Sequence, residues 1–169
     1  MARPGMKVGD NEHTIQGEML KVGDQAPDFK LVANDLSVKT LEDYAGKIKI
    51  FSVVPSIDTG VCSAQTRRFN EEAAALDDNI VVLTVSADLP FAFKRYCGNE
   101  GIENTETLST HRDMAFADDY GVHDVDWNIC QRAVFVVDTD NVIRHVEYIG
   151  VIGDAVDFDS AIAAAESLV

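Results

Sequence analysis

Residues 48–70 decide the fold, and they read IKIFSVVPSIDTGVCSAQTRRFN. The apolar run Ile48–Val54 predicts a buried strand. Pro55 ends this strand, and a turn rich in serine, aspartate and glycine follows. Thr59 is a favourable N-cap residue, so a helix is predicted to begin here. Cys62 falls three positions later and therefore lies in the first turn of that helix.

The position of Cys62 favours chemistry at its sulfur. Unpaired backbone N–H groups and the positive end of the helix dipole lie at a helix start, and both stabilise a thiolate. Arg67 and Arg68 add positive charge one turn or more further along. The alternative from position alone is an inert cysteine packed in the core, a common place for a free cysteine.

A longer pattern around Cys62 favours the reactive interpretation. The spacing Pro55-x-x-x-Thr59-x-x-Cys62 resembles the signature of the peroxiredoxins. The wider run from Pro55 to Ala73 is similar to the thiol peroxidase subfamily, which is of the atypical two-cysteine type. The resemblance extends to residues 20–29, LKVGDQAPDF, and to residues 132–138, RAVFVVD, so that it spans nearly the whole chain.

This resemblance implies a reaction and a set of residue roles. A thiolate attacks one oxygen of a peroxide O–O bond, and a sulfenic acid remains on the cysteine. By resemblance, Cys62 is the nucleophile, Thr59 and Arg132 activate it and stabilise the leaving oxygen, and Pro55 shapes the pocket. Cys97 matches the resolving cysteine, which would condense with the Cys62 sulfenic acid to an intrachain disulfide.

The resemblance also implies partners. It predicts a thiol-dependent peroxidase that takes hydrogen peroxide and alkyl hydroperoxides, is recycled by a thioredoxin-type dithiol reductant and forms a homodimer. It implies no metal and no organic cofactor. The histidines, at positions 13, 111, 123 and 145, show no spacing to the cysteines that is typical of a metal site.

Arg132 and Cys97 can also be judged from the residues alone. Arg132 opens the apolar run Ala133–Val137, where a charge is out of place unless it lies at a solvent-exposed strand end. Cys97 lies on the second helix of a strand–helix–strand–helix unit, whose helices can lie on the same side of the sheet. The alternative is a thiol packed beside Phe93 on one helix face. Both interpretations of Cys97 can hold, since local unfolding can release a buried resolving thiol.

The third cysteine, Cys130, matches no cysteine of the family. It precedes Arg132 by two residues, so both side chains would point the same way if the strand began this early. The region 122–131 departs from the family, which usually has a glycine- and leucine-containing stretch there. Cys130 is interpreted as a small buried residue. Trp127 is interpreted as a rim or core aromatic, with a place in the site as the alternative.

Composition bounds the function further. The chain has 169 residues and a net charge of −15, which suits one domain, residues 1–169, with residues 1–20 as an N-terminal hairpin extension. The acidic surface argues against nucleic-acid and membrane partners. The start of the chain lacks a signal-peptide pattern and no apolar run is long enough to span a membrane, so a cytoplasmic location is expected. Three cysteines there argue against a static disulfide framework.

The remaining pattern predicts an α/β fold. After a hairpin over 6–20, a short strand over 29–32 and a capped turn over 40–44, strands are expected at 47–54, 80–87, 105–109, 132–138 and 142–149. Helices are expected from Thr59 to about Leu76, from Asp88 as N-cap to Gly98, over 112–120 and over 154–168. This order predicts a thioredoxin-like sandwich with a central mixed β-sheet, flanking helices and an N-terminal β-hairpin.

Three rival functions share parts of the pattern. The spacing Cys62-x5-Arg68 matches the loop of cysteine phosphatases, but residues 63–67 lack the glycines that let a backbone cradle phosphate. A thioredoxin-type oxidoreductase needs a Cys-x-x-Cys pair, which Ser63–Gln65 does not complete. A non-enzymatic redox sensor would also use Cys62 and Cys97, and steady-state turnover of peroxide separates it from an enzyme.

Overall fold

Strands and helices alternate along the chain in a computed structural model that describes residues 2–169. The strands are β1 (Ala2–Val8), β2 (Asn11–Gln16), β3 (Leu31–Ala33), β4 (Val38–Lys39), β5 (Ile48–Val53), β6 (Ile80–Ser86), β7 (Glu106–Ser109), β8 (His123–Asp124), β9 (Ile129–Cys130), β10 (Ala133–Val137) and β11 (Ile143–Tyr148). The helices are α1 (Gly60–Ala73), α2 (Pro90–Glu100), α3 (Ala115–Asp119) and α4 (Phe158–Glu166), with a 3₁₀ helix at Leu41–Tyr44. Within these described residues, no helix has the length and apolar character needed to cross a membrane.

The central sheet is mixed, as the sequence predicts. Its strand order is β11-β10-β5-β6-β7-β3-β4, with β5, β6 and β7 parallel and the other pairs antiparallel. Every residue of β5 is buried because both faces of the sheet are covered. Ile48 and Ile50 pack in one cluster with residues of α1 and α4, whereas Phe51 and Val53 pack on the opposite face with residues of α3. The core therefore consists of two layers, one on each face of the central sheet. Strand β5 lies between them and leads directly into the turn before Cys62.

A second, smaller sheet has the strand order β1-β2-β8-β9. The predicted hairpin is present but begins earlier, over residues 2–16, and it turns at Gly9–Asp10, where Gly9 has a positive φ of 60°. The sequence did not predict β8 and β9, because each contains only two residues and shows no alternation. Ile15 pairs with Asp124, so the hairpin is joined to the region 122–131 through β8.

The predicted boundaries of α2 are wrong at both ends. Its N-cap is Leu89, with extended backbone, rather than Asp88. The Asp88 carboxylate instead accepts hydrogen bonds from Ser56 Oγ at 2.9 Å and from Ile57 N at 2.7 Å. Gly98 lies inside the helix, which runs to Glu100 and is capped by Gly101 in the left-handed conformation, with φ of 66°.

Other elements are shorter than the sequence patterns predict. Helix α1 ends at Ala73 rather than near Leu76, and α3 covers only Ala115–Asp119 before Gly121. Helix α4 begins after Asp157, whose side chain accepts a hydrogen bond from Ser160 N and thereby caps it. Helix and strand ends are decided by single caps of this kind, which periodicity does not register.

Candidate active site

The Cys62 side chain is fully enclosed at the start of α1. Thr59 is the N-cap residue, as predicted, with extended backbone, and Cys62 is the third residue of the helix with no exposed area. Its sulfur accepts a hydrogen bond from Arg132 Nη2 at 3.2 Å. Within residues 2–169 this is the only hydrogen bond to the sulfur, so the backbone N–H groups of the helix start act on it through their electric field alone.

Arg132 directly precedes β10, and its side chain extends to Cys62. Its side chain is 1% exposed and is the largest of the fully buried side chains. The guanidinium donates from Nη1 to Gln65 Oε1 at 2.9 Å and from Nη2 to the carbonyl oxygen of Ile152 at 3.0 Å, in addition to the Cys62 sulfur. Its Nε has no hydrogen-bond partner among the described residues. The alternative of a solvent-exposed arginine at a strand end is therefore wrong.

The charge of Arg132 has no carboxylate to balance it. Across residues 2–169 no aspartate or glutamate forms an ion pair with this guanidinium. A buried cation without an anionic partner is costly, because burial removes its hydration. The sulfur of Cys62 is the group in contact that can become an anion. The buried guanidinium of Arg132 is therefore in direct contact with the Cys62 sulfur.

Gln65 is a site residue that the sequence analysis missed. It is 2% exposed, one turn after Cys62 on the same face of α1. Its Nε2 donates to Ser52 Oγ on β5 at 2.8 Å, and this bond turns its Oε1 toward Arg132. A glutamine three residues after a reactive cysteine, on the helix face that meets the sheet, was the signal available in the sequence.

Thr59 and Pro55 precede Cys62 in the segment that leads from β5 into α1, and within the described residues neither forms a hydrogen bond with its sulfur. Thr59 is exposed, and its hydroxyl donates to the carbonyl oxygen of Ser56 at 3.2 Å. Pro55 is buried two residues beyond the end of β5. Asp88 holds the turn between them through its hydrogen bonds to Ser56 and Ile57. The predicted roles of Thr59 and Pro55 stay predictions.

Cys97 lies on α2, half-buried beside Phe93 and Tyr96. Asn34 Nδ2 lies 4.0 Å from its sulfur and Thr107 Oγ1 lies 3.7 Å from it. The same sulfur borders a groove of about 550 Å³ at the edge of the central sheet. Cys62 and Cys97 are both free thiols. The Cys97 sulfur must therefore break its contacts with Asn34 Nδ2 and Thr107 Oγ1 before it can bond to Cys62.

A hydrogen bond links the two cysteine-bearing helices. Ser63 Oγ lies 2.8 Å from Tyr96 Oη, which also lies 3.2 Å from the Ser63 carbonyl oxygen. Ser63 follows Cys62 directly and Tyr96 precedes Cys97 directly. Helices α1 and α2 therefore approach each other, as the sequence analysis expected, and they do so next to both cysteines.

Cys130 is separated from the site by a break in the strand. β9 ends at Cys130 and β10 begins only at Ala133, so the condition under which Cys130 and Arg132 would point the same way, a strand that starts this early, is not met. Cys130 packs in the cluster on the opposite face of the sheet, and burial raises the pKa of its thiol to about 12. Trp127 is 55% exposed, and its ring system forms a T-shaped pair with the His13 ring at a centroid distance of 4.9 Å.

Comparisons with known proteins agree with this fold and site. The model of the Redoxin family matches residues 21–163. A thiol peroxidase of Streptococcus pneumoniae R6 is 56% identical over 158 residues, which are 94% of this chain and 96% of that protein. A thiol peroxidase of Bacillus subtilis 168 is 51% identical over 156 residues, or 92% and 93% of the two chains. The crystal structure of a peroxiredoxin-like protein from Aquifex aeolicus superposes with a TM-score of 0.91 at 32% identity, over 99% of each chain.

The chain therefore belongs to the Redoxin family and, within it, to the thiol peroxidases. This result confirms the peroxiredoxin resemblance and the thioredoxin-like fold that the sequence analysis predicts.

Proposed function

We propose that the protein is a thiol-dependent peroxidase in which the Cys62 thiolate attacks a hydroperoxide. The observation that carries the proposal is the 3.2 Å contact between Arg132 Nη2 and Cys62 Sγ in a buried site where, among residues 2–169, no carboxylate pairs with the arginine. The phosphatase alternative requires residues 63–67 to form a phosphate-cradling loop, whereas these residues are part of α1.

The reaction has three balanced steps. The thiolate displaces alkoxide or hydroxide from ROOH, and the leaving oxygen takes up a proton, which gives Cys62 sulfenic acid and ROH. The Cys97 thiol then attacks the sulfenic sulfur, and one water leaves as the Cys62–Cys97 disulfide forms. A dithiol reductant exchanges with this disulfide, becomes oxidised itself and restores both thiols.

Peroxide access requires a small opening of the site. Cys62 and Arg132 are closed off from solvent, whereas Asp58 and Thr59 in the preceding turn are exposed. The turn at residues 56–60 therefore has to shift to admit a peroxide. The Thr59 hydroxyl can turn toward a bound peroxide, because among the described residues a single hydrogen bond of 3.2 Å to the Ser56 carbonyl oxygen holds it. The free Nε–H of Arg132 is an unused donor inside the same site.

The resolving step gives Cys97 its role in the proposal. The Ser63–Tyr96 hydrogen bond already brings α1 and α2 together beside both cysteines. Disulfide formation then requires the two ends of these helices to loosen locally, so that Cys97 can exchange its neighbours Asn34 and Thr107 for Cys62.

The partners follow from the reaction and from the family. A hydroperoxide is the substrate and a thioredoxin-type dithiol is the reductant. A homodimer, a single domain over the whole chain and a cytoplasmic location stay predictions. Sedimentation velocity of the reduced protein tests the homodimer, and a mass of one chain at micromolar concentration would contradict it.

A turnover assay tests the function. Hydrogen peroxide and an alkyl hydroperoxide are supplied in turn with thioredoxin, thioredoxin reductase and NADPH, and NADPH consumption is followed. The wild-type protein is expected to turn over many times and Cys62→Ser not at all, whereas Cys130→Ser serves as the matched control and stays active. A protein that is oxidised once and never recycled would be a redox sensor instead.

A further inference from the structure

The loop at residues 149–152 connects the N-terminal hairpin to Arg132. Its Ile152 carbonyl oxygen accepts the 3.0 Å hydrogen bond from Arg132 Nη2. The same residue donates from its backbone N to the carbonyl oxygen of Lys7 at 3.0 Å, and Lys7 N donates to Gly150 O at 2.8 Å. Strand β1 of the hairpin therefore pairs with the loop that supplies an acceptor for the guanidinium.

The side chain of Gln131 links the N-terminal hairpin to the loop at residues 149–152, directly beside Arg132. It is 1% exposed, and it directly precedes Arg132. Its Nε2 donates to Gly5 O in the hairpin at 2.7 Å and to Ile149 O at the start of the loop at 2.9 Å. Its Oε1 accepts from Arg3 Nη2 at 3.2 Å, which fixes the orientation of the amide. A buried amide with both ends bonded in this way holds its neighbours in one arrangement.

We propose that Gln131 is a positioning residue for Arg132, acting through the loop at residues 149–152 that it fastens to the N-terminal hairpin. Arg132 Nη2 donates both to Ile152 O and to Cys62 Sγ. Because the guanidinium is planar, its N–H groups point in fixed directions relative to one another. A shift of the Ile152 carbonyl therefore turns the other N–H away from the sulfur.

The proposal assigns a role to residues 122–131, the segment that the sequence analysis expects to differ from the family. Residues 122–131 supply β8 and β9, which extend the hairpin sheet, and the segment ends at Gln131 itself. The inference rests on the proposed function, because it takes the role of Arg132 in peroxide reduction as its starting point.

The test is a double-mutant cycle on the first chemical step. Single-turnover oxidation of Cys62 by hydrogen peroxide is followed by rapid quenching and mass spectrometry for wild type, Gln131→Met, Arg132→Met and the double variant. Methionine keeps the size of glutamine and removes its hydrogen bonds. Tyr44→Phe is the matched control, since it loses a hydrogen bond to Glu106 Oε2 that does not involve the loop or Arg132. Urea denaturation establishes that each variant is folded.

We expect Gln131→Met to slow Cys62 oxidation about threefold to tenfold, the range typical for weakening of one hydrogen bond, here the one from Arg132 to Cys62. Tyr44→Phe is expected to keep the wild-type rate even if its stability falls as much. The double variant should be no slower than Arg132→Met alone, because Gln131 acts only through Arg132. A merely structural role would make the two effects multiply.

Distinct outcomes overturn the inference and the proposed function. A folded Gln131→Met with the wild-type rate, or a double variant slower than Arg132→Met, overturns the inference alone. An Arg132→Met protein with the wild-type rate overturns the role of Arg132 in the proposed function. Should Gln131→Met fail to fold, Arg3→Met decides: it removes the contact that orients the Gln131 amide, together with the Arg3 contacts to Gly121 O and the Tyr148 ring, none of which touches Arg132. A slower Cys62 oxidation supports the inference and an unchanged rate rejects it.

Discussion

Arg132 Nη2 and Cys62 Sγ lie 3.2 Å apart, and neither side chain has meaningful contact with solvent. The two residues are 70 positions apart in the chain and come from different elements, the segment before β10 and the first turn of α1. Among residues 2–169 no carboxylate pairs with this guanidinium, and the Cys62 sulfur is one of its three hydrogen-bond acceptors.

Replacement of Arg132 should slow peroxide reduction. A charge-assisted hydrogen bond contributes about 1.5–3 kcal/mol, and each 1.4 kcal/mol or so corresponds to tenfold in rate. Arg132→Leu should therefore lower the single-turnover rate at neutral pH roughly tenfold to a hundredfold, and Arg132→Lys should recover it only in part because the planar fork is missing. The control is Arg67→Leu. Arg67 is an exposed residue of α1, the helix that carries Cys62, and it donates a hydrogen bond to Ser63. Equal rates for Arg132→Leu and wild type would make Arg132 a structural residue.

Loss of Gln65 should have a smaller effect in the same direction. Gln65→Leu removes the acceptor for Arg132 Nη1 and leaves Ile152 O to hold the guanidinium. We expect Cys62 oxidation to slow roughly threefold to tenfold, as for loss of one hydrogen bond. Gln25→Leu is a suitable control, because Gln25 bonds to backbone carbonyls at Asp140 and Asn141 instead. A Gln65→Leu protein slower than Arg132→Leu would show that Gln65 does more than hold the arginine.

Peroxide should convert Cys62 and Cys97 into an intrachain disulfide. Cys97→Ser should stop the reaction at the Cys62 sulfenic acid, which a dimedone adduct reveals by mass spectrometry, and one equivalent of peroxide should give no disulfide. Cys130→Ser should form the disulfide as wild type does, since Cys130 lies on the other face of the sheet. Peptide mapping that joins Cys62 to Cys130, or that finds only interchain bonds, would reject this route.

Cys130 should make stability depend on alkaline pH. Its pKa is raised to about 12 in the folded protein from an ordinary value of 9.0, because burial disfavours the thiolate. At a pH between these two values, the unfolded chain has lost the Cys130 proton that the folded chain retains. The contribution of Cys130 to stability is therefore fully present below pH 9 and is lost as the pH rises toward 12. Urea denaturation from pH 8 upward should show a shallower decline for Cys130→Ala than for wild type. Parallel declines in the two proteins would contradict the assignment.

Local patterns predicted the parts of the site that are close in sequence. The strand at residues 48–53, the Thr59 cap and Cys62 in the first turn of α1 all follow from hydrophobic pattern and cap chemistry acting over a few residues. The place of Arg132 came from the family resemblance, because an arginine before a buried strand is compatible with either solvent or core.

The remaining parts depend on contacts between distant segments. Asp88 has the composition of an N-cap, but it bonds to Ser56 and Ile57 because the turn before Cys62 passes within reach of it. The strands β8 and β9 form because β2 supplies an edge, which two-residue segments cannot reveal by themselves. Pairings of this kind are decided by tertiary packing, so a single sequence carries little trace of them.

The closed environment of Cys62 has a consequence for which oxidants the protein can meet. A residue with no exposed area reacts only with molecules small enough to enter when the turn at residues 56–60 shifts slightly. Hydrogen peroxide and slim hydroperoxides satisfy this condition, whereas bulky electrophiles such as glutathione disulfide do not. If Cys62 reacts as proposed, its burial selects the oxidant by size before any bond is broken.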